Sequence, residues 1–154
     1  MQGQVGTVTF GGNVITPTSA TITGVTGTGL VGTVTASGTG GLTIAATYTI
    51  TVVSTAYGNK YAINGSQQAT VSLTEGSTFR FDQSDSSNSG HPLRFSTTSD
   101  GTHGGGSQYT TGVTTSGTPG SSGAYTQITV ASGAPTLYYY CTNHSGMGGQ
   151  ANTP

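Results

Sequence analysis

The chain has 154 residues, of which three are basic and four acidic, so that only 5% of the sequence is charged. Because nucleic-acid binding requires clustered Lys and Arg to neutralise phosphates, this composition argues against a nucleic-acid partner. No apolar run approaches the roughly 18 residues of a membrane-spanning helix, so no membrane insertion is expected.

Residues 1–57 carry no charged side chain and few aromatic ones. The start of the chain has neither a basic nor an apolar segment, so a Sec-type signal peptide is not expected. The clearest pattern alternates apolar residues with Thr from Leu42 to Val52, which is typical of a long β-strand. We predict a small β domain over residues 1–57. Because so small a unit buries little apolar area, it either packs on the rest of the chain or, as we expect, mediates assembly or attachment.

Residues 58–154 also show the two-residue period of strands rather than a helical period. The dipeptide Asn64-Gly65 predicts a tight hairpin. Tyr138 and Tyr140 fall on the strand face opposite Cys141, either as exposed contact residues or as cross-strand packing partners. The sequence therefore predicts an all-β protein with a second domain over residues 58–154. The residues expected to point into its core are Phe79 and Phe81, then His91, Leu93 and Phe95, then Leu137, Tyr139 and Cys141.

Two polar segments interrupt these strands. The segment 97–122 is rich in Gly, Ser and Thr, and His103 within it is interpreted as a solvated loop residue. Asp82, Asp85 and Asn88 offer oxygen ligands for calcium, but they lack the spacing of an EF-hand loop. We therefore expect these three side chains to cap the loop through hydrogen bonds.

The residues with metal-binding chemistry lie near the end of the chain. The only cysteine occurs in the segment Cys141-x2-His144-x2-Met147, and His91 precedes it by fifty positions. Two histidines, a cysteine and a weakly binding methionine are the ligand set of a trigonal blue-copper site. Zinc is disfavoured because a structural zinc site requires four strong ligands. A Cys–His nucleophile pair would need an oriented histidine and an oxyanion hole, and only proximity supports it, so no enzymatic activity is predicted.

Three segments resemble the core of the cupredoxins, such as plastocyanin and amicyanin: Glu75–Phe81, Gly90–Phe95 and Tyr138–Met147. The resemblance covers residues 61–149, and the C-x2-H-x2-M loop is most similar to the amicyanin type. It implies a Greek-key β-sandwich that holds one copper ion per chain between two loops. It also implies that His91, Cys141 and His144 are ligands and that Met147 is the axial ligand. Pro92 departs from the family, since many members have Asn after the first histidine.

Parts of the same region are also similar to modules in structural proteins of marine bacteriophages. The similar segments are Phe79–Asn88, His91–Phe95 and Tyr109–Gly117. This resemblance implies a capsid decoration, fibre or tail component whose partners are other virion proteins and copies of itself. We therefore predict a phage virion structural protein located at the virion surface. The alternative is a type 1 blue-copper electron-transfer protein, which would be periplasmic or extracellular.

Overall fold

The computed structural model describes residues 9–10, 13–14 and 43–154. The chain divides into two compact units, Met1–Gly38 and Thr39–Pro154. In the first unit, β1 (Thr9–Phe10) pairs antiparallel with β2 (Asn13–Val14). The rest of the β domain predicted over residues 1–57, up to residue 42, lies outside the described residues.

Residues 43–154 form eleven strands and two short 3₁₀ helices, at Ser86–Asn88 and Gly101–Gly104. Within the described ranges, no helix has the length and apolar character needed to cross a membrane. The strands are β3 (Ile44–Thr55), β4 (Gly58–Ile63), β5 (Ser66–Gln67), β6 (Val71–Ser72), β7 (Thr78–Asp82), β8 (Leu93–Ser96), β9 (Gln108–Tyr109), β10 (Val113–Ser116), β11 (Tyr125–Thr129), β12 (Leu137–Cys141) and β13 (Gly149–Asn152).

These strands form two sheets. The first sheet has six strands in the order β10-β11-β7-β3-β4-β5, and the second has five in the order β6-β13-β12-β8-β9. Two of the pairings, β3 with β7 and β13 with β6, are parallel, and the others are antiparallel. The parallel pairs join strands that are distant in sequence, so both sheets depend on long-range contacts.

The core lies between the two sheets. Phe81 of β7 and Phe95 of β8 are both fully buried, and their rings meet edge to face with centroids 5.1 Å apart. Edge-to-face packing suits the charge distribution of aromatic rings, and burial of such large apolar side chains is the main stabilising contribution to folding. The predicted all-β sandwich is confirmed, including the inward parity of His91, Leu93 and Phe95.

The domain boundary differs from the predicted one at residues 57 and 58. The strand β3 pairs with β4 from Ile50 to Thr55 and with β7 from Ile44 to Thr49, so it is an integral strand of the sandwich. The compact unit accordingly begins at Thr39. The local sequence identified β3 as a strand, but its parallel pairing with β7 spans about thirty residues and leaves no local pattern.

The Gly/Ser/Thr-rich insertion packs against the second sheet at Tyr140. Tyr140 is fully buried, and a Cβ atom added to Gly101 would lie 2.5 Å from its ring. Gly101 thus permits the second 3₁₀ helix to pack directly on Tyr140, whereas Tyr138 on the same strand face is half-buried. Exposure of both tyrosines was one of the two expected arrangements, and for Tyr140 it is wrong because the insertion covers the ring.

Candidate metal centre

Three donor atoms meet at one end of the sandwich. Ligand atoms of His91, Cys141 and His144 all lie within 4.8 Å of one another. The Cys141 Sγ lies 3.8 Å from Nδ1 of His91 and 3.7 Å from Nδ1 of His144. Cys141 and His91 are buried, whereas His144 is exposed at the surface.

The spacing of the donors fits a single metal ion. With metal–sulfur and metal–nitrogen bonds of about 2.3 and about 2.05 Å, sulfur and nitrogen would be roughly 3.8 Å apart in a trigonal plane and roughly 3.6 Å apart in a tetrahedron. The observed separations of 3.8 and 3.7 Å fall within this range. A thiolate with two imidazoles is also a donor set that binds first-row transition metals well.

The pairing of β8 with β12 brings the two donor segments together. Cys141 ends β12 and pairs with Leu93, the first residue of β8. The next step of this antiparallel pair is a hydrogen bond from the Thr142 amide to the Pro92 carbonyl, 3.1 Å long. His91 directly precedes Pro92, so the register of two strands places its imidazole beside the thiol.

A buried polar network fixes the backbone of His91. Its carbonyl accepts hydrogen bonds from the Tyr61 hydroxyl at 2.7 Å and from Gln83 Nε2 at 2.8 Å. Its amide donates to the Asn88 carbonyl at 2.8 Å. The Gln83 Oε1 accepts from the Leu93 amide, so one side-chain amide binds the backbone on both sides of Pro92. Gln83 and Asn88 are both buried, and buried polar groups with every partner in place restrict a site to one conformation.

Neither Gln83 nor Tyr61 was identified from the sequence. Gln83 continues the inward parity of Phe79 and Phe81. A polar residue at such a core position is the sequence signal that could have identified it. The neighbouring polar residues behave as expected for loop capping. Asp82 and Asp85 accept hydrogen bonds from the backbone amides of Ser84 and Ser87, respectively.

The charge states of the network suit metal binding. Burial, and then the nearby His144, lower the pKa of His91, which favours the neutral imidazole that binds metals. Burial raises the pKa of Tyr61 far above its ordinary value, with a smaller contribution from Cys141. The Tyr61 hydroxyl therefore stays protonated, and donates to the His91 carbonyl, at pH values where an ordinary tyrosine would ionise.

The loop after β12 is connected to the rest of the site on two sides. Asn143 Nδ2 donates to the Gly90 carbonyl at 2.9 Å, which links the residue before His144 to the residue before His91. The Nε2 atom of His103 lies 3.0 Å from the Cys141 carbonyl oxygen. His103 is exposed, as expected of a loop residue, but this hydrogen bond makes it part of the surroundings of the site.

Met147 is buried and belongs to the hydrophobic core. Its carbonyl accepts a hydrogen bond from the Tyr61 amide at 2.9 Å. Together with His144 it borders an open surface depression that is also lined by His103, Asn143 and Asn59. Its role as an axial ligand stays a prediction.

Comparison with models of known protein families gives no match, and comparison with curated proteins gives none either. The donor atoms and the sandwich that positions them are therefore the basis for assigning a metal site.

We expect Gln83→Met to weaken the site while preserving the volume of the side chain. The variant leaves the buried Leu93 amide without an acceptor, so the free energy of unfolding of the metal-free chain should fall by about 1–3 kcal/mol in urea titrations. Loss of a residue that orients a ligand typically lowers metal affinity by about 10- to 100-fold, and we expect a decrease of that size for Cu(II).

Gln127→Met is the matched control. Gln127 is also buried, but its Oε1 accepts from Arg80 in the first sheet and contacts none of the three donor residues. It should lower stability without changing the Cu(II) affinity. Equal affinities for the two variants would show that Gln83 does not position His91.

Proposed function

We propose that this chain is a structural protein of a phage particle whose sandwich domain is cupredoxin-like and binds one copper ion. The copper assignment is supported chiefly by the position of Cys141 Sγ, 3.8 and 3.7 Å from the Nδ1 atoms of His91 and His144. One thiolate and two imidazoles are the strong ligands of a blue-copper site. Copper is favoured over zinc because the remaining candidate ligand, Met147, is a weak thioether.

The protein residues would bind the ion and keep water away from the Cys141 sulfur. Cys141 is fully buried, which suits a metal ligand and disfavours a nucleophile that must reach a substrate. Bound copper would supply one-electron redox chemistry. Because the donors meet only in the folded chain, a bound ion would also stabilise the contact between the His91 segment and the 141–147 loop.

The virion setting rests on the sequence resemblance and on the scarcity of charged residues. The segment Phe79–Asn88, which carries much of that resemblance, contributes β7, the first 3₁₀ helix and the support of His91. In this setting the ion would act as a structural clamp at the virion surface, and the partners would be copies of this chain and other virion proteins.

A soluble electron carrier, periplasmic or extracellular, is the second candidate. One observation favours it: His144 is exposed and borders an open depression, so one proposed ligand reaches the protein surface. An exposed ligand would give electrons a short path to a partner.

We expect the purified chain to turn intensely blue when one equivalent of Cu(II) is added, because the Cys141 thiolate would bind the ion directly. The midpoint of thermal unfolding should rise with copper concentration, since the ion binds only the folded state. Absorption spectra and thermal melts measure both effects.

Cys141→Ser is the decisive variant, because it removes the sulfur and preserves the size of the side chain. It should abolish the colour and the copper-dependent rise in melting temperature. A wild-type chain with neither effect would contradict the copper assignment.

The two settings differ in assembly state. For a virion component we expect the full chain to sediment as a homo-oligomer, with or without copper. A monomer with a reversible one-electron couple would instead favour the electron carrier and would contradict the virion proposal. Analytical ultracentrifugation and voltammetry on the same sample distinguish these outcomes.

A further inference from the structure

Three polar side chains converge on one glycine of the loop that carries Met147. Lys60 Nζ donates to the Gly146 carbonyl at 2.7 Å, and the Gly146 amide donates to Asp100 Oδ1 at 2.8 Å. Gln68 Nε2 contacts the same carbonyl at 3.3 Å and donates to the Gly148 carbonyl at 2.6 Å. We refer to Lys60, Gln68 and Asp100 as the Gly146 clamp.

The clamp contains two of the few charged residues of the chain. The whole chain has three basic and four acidic residues, and one of each sign binds the backbone of Gly146. The positive group faces the carbonyl and the negative group faces the amide, which is the favourable orientation for both. Hydrogen bonds with an ionised partner are shorter and stronger than neutral ones.

Two clamp residues also adopt a backbone conformation that side chains disfavour. Gln68 and Asp100 have φ angles of +46° and +59°. Among the described residues, only one other non-glycine residue has a positive φ, Asn64 at +49°, and it lies in the Asn-Gly hairpin where this is usual. Left-handed backbone at a residue with a Cβ atom costs free energy, and it persists where surrounding contacts enforce it.

The clamp holds the peptide groups on both sides of Met147. Gly146 precedes it with a φ of +70°, and the Gly148 carbonyl follows it. A Cβ atom at Gly148 would lie 1.7 Å from the Tyr139 carbonyl oxygen, so the loop passes directly against β12. Residues 143–148 belong to no strand. Besides the clamp, the Tyr61 amide binds the Met147 carbonyl, so the clamp and Tyr61 together fix the backbone from which the Met147 side chain extends.

We propose that Lys60, Gln68 and Asp100 are positioning residues: they fix the backbone on both sides of Met147 and so direct its thioether toward the metal site formed by His91, Cys141 and His144. This inference rests on the proposed copper site. The thioether is a weak ligand, and weak ligands tune a copper site through their distance and direction rather than by holding the ion. Contacts that fix this one side chain would therefore set the electronic properties of the site.

The test combines variants that remove two of the three clamp side chains without adding strain. Asp100→Gly, Gln68→Gly and the double variant delete the side chains, and glycine readily accepts the left-handed conformation. Asp100→Asn retains an oxygen acceptor for the Gly146 amide. Asn64→Gly is the matched control, because it also removes a left-handed side chain that binds the backbone, at the Thr49 amide and outside the loop.

The first readout uses the metal-free full chain. Met1 and Met147 are its two methionines, so a sample labelled with ¹³C at the methionine methyl groups gives two NMR signals. We expect the double variant to shift or broaden the Met147 signal and to accelerate amide exchange at Gly146 about tenfold or more. Asn64→Gly should leave both measurements at wild-type values. Asp100→Asn, which keeps a neutral oxygen acceptor, should change them less than Asp100→Gly. An unchanged Met147 signal in the double variant would overturn the proposal.

The second readout uses the copper-loaded chain. The double variant should change the absorption spectrum and the reduction potential in the same direction as Met147→Leu, whereas Asn64→Gly should match the wild type. Equal changes in the double variant and in Asn64→Gly would indicate general destabilisation and overturn the proposal. A wild-type chain that binds no copper would refute the copper site itself, while the metal-free NMR experiment would still show whether the clamp fixes Met147.

Discussion

The pairing of β12 with β8 determines where the donor atoms meet. Cys141 lies opposite Leu93, and this register brings His91 to the thiol across fifty residues of sequence. A shift of one residue would turn Cys141 to the other face of the sheet and separate it from both imidazoles. The core rings that fix the register, Phe81, Phe95 and Tyr139, therefore stabilise the fold and determine the geometry of the site together.

Polar contacts add to the positioning of the donor segments that the strand register provides. On one side, Gln83, Tyr61 and Asn88 satisfy the backbone groups of His91 within the core. On the other, the Gly146 clamp holds the loop that follows Cys141. Both sets bind backbone atoms rather than the donor side chains. They therefore fix the backbone positions and leave the imidazole nitrogens available to bind a metal. Metal sites typically have such support, in which the surrounding residues orient the side chains that bind the ion.

The sequence was sufficient to locate the candidate donors and the fold class. Strand parity placed His91 and Cys141 on the inner face, and the Cys-x2-His spacing placed His144 beside the thiol. The contacts of Gln83, Lys60 and Asp100 were not predictable in this way, because each joins segments whose separation is set by the register of both sheets. For a related reason, the local sequence pattern does not reveal that β3 belongs to the sandwich through its parallel pairing with β7.

The most direct test of a thiolate–diimidazole copper site is X-ray absorption spectroscopy of the full chain loaded with one equivalent of copper. The structure leads us to expect one short copper–sulfur distance and two copper–nitrogen distances from imidazole. In Cys141→Ser the short sulfur contribution should disappear. A wild-type spectrum that contains only nitrogen and oxygen neighbours, or two equivalent short sulfur neighbours, would contradict the account.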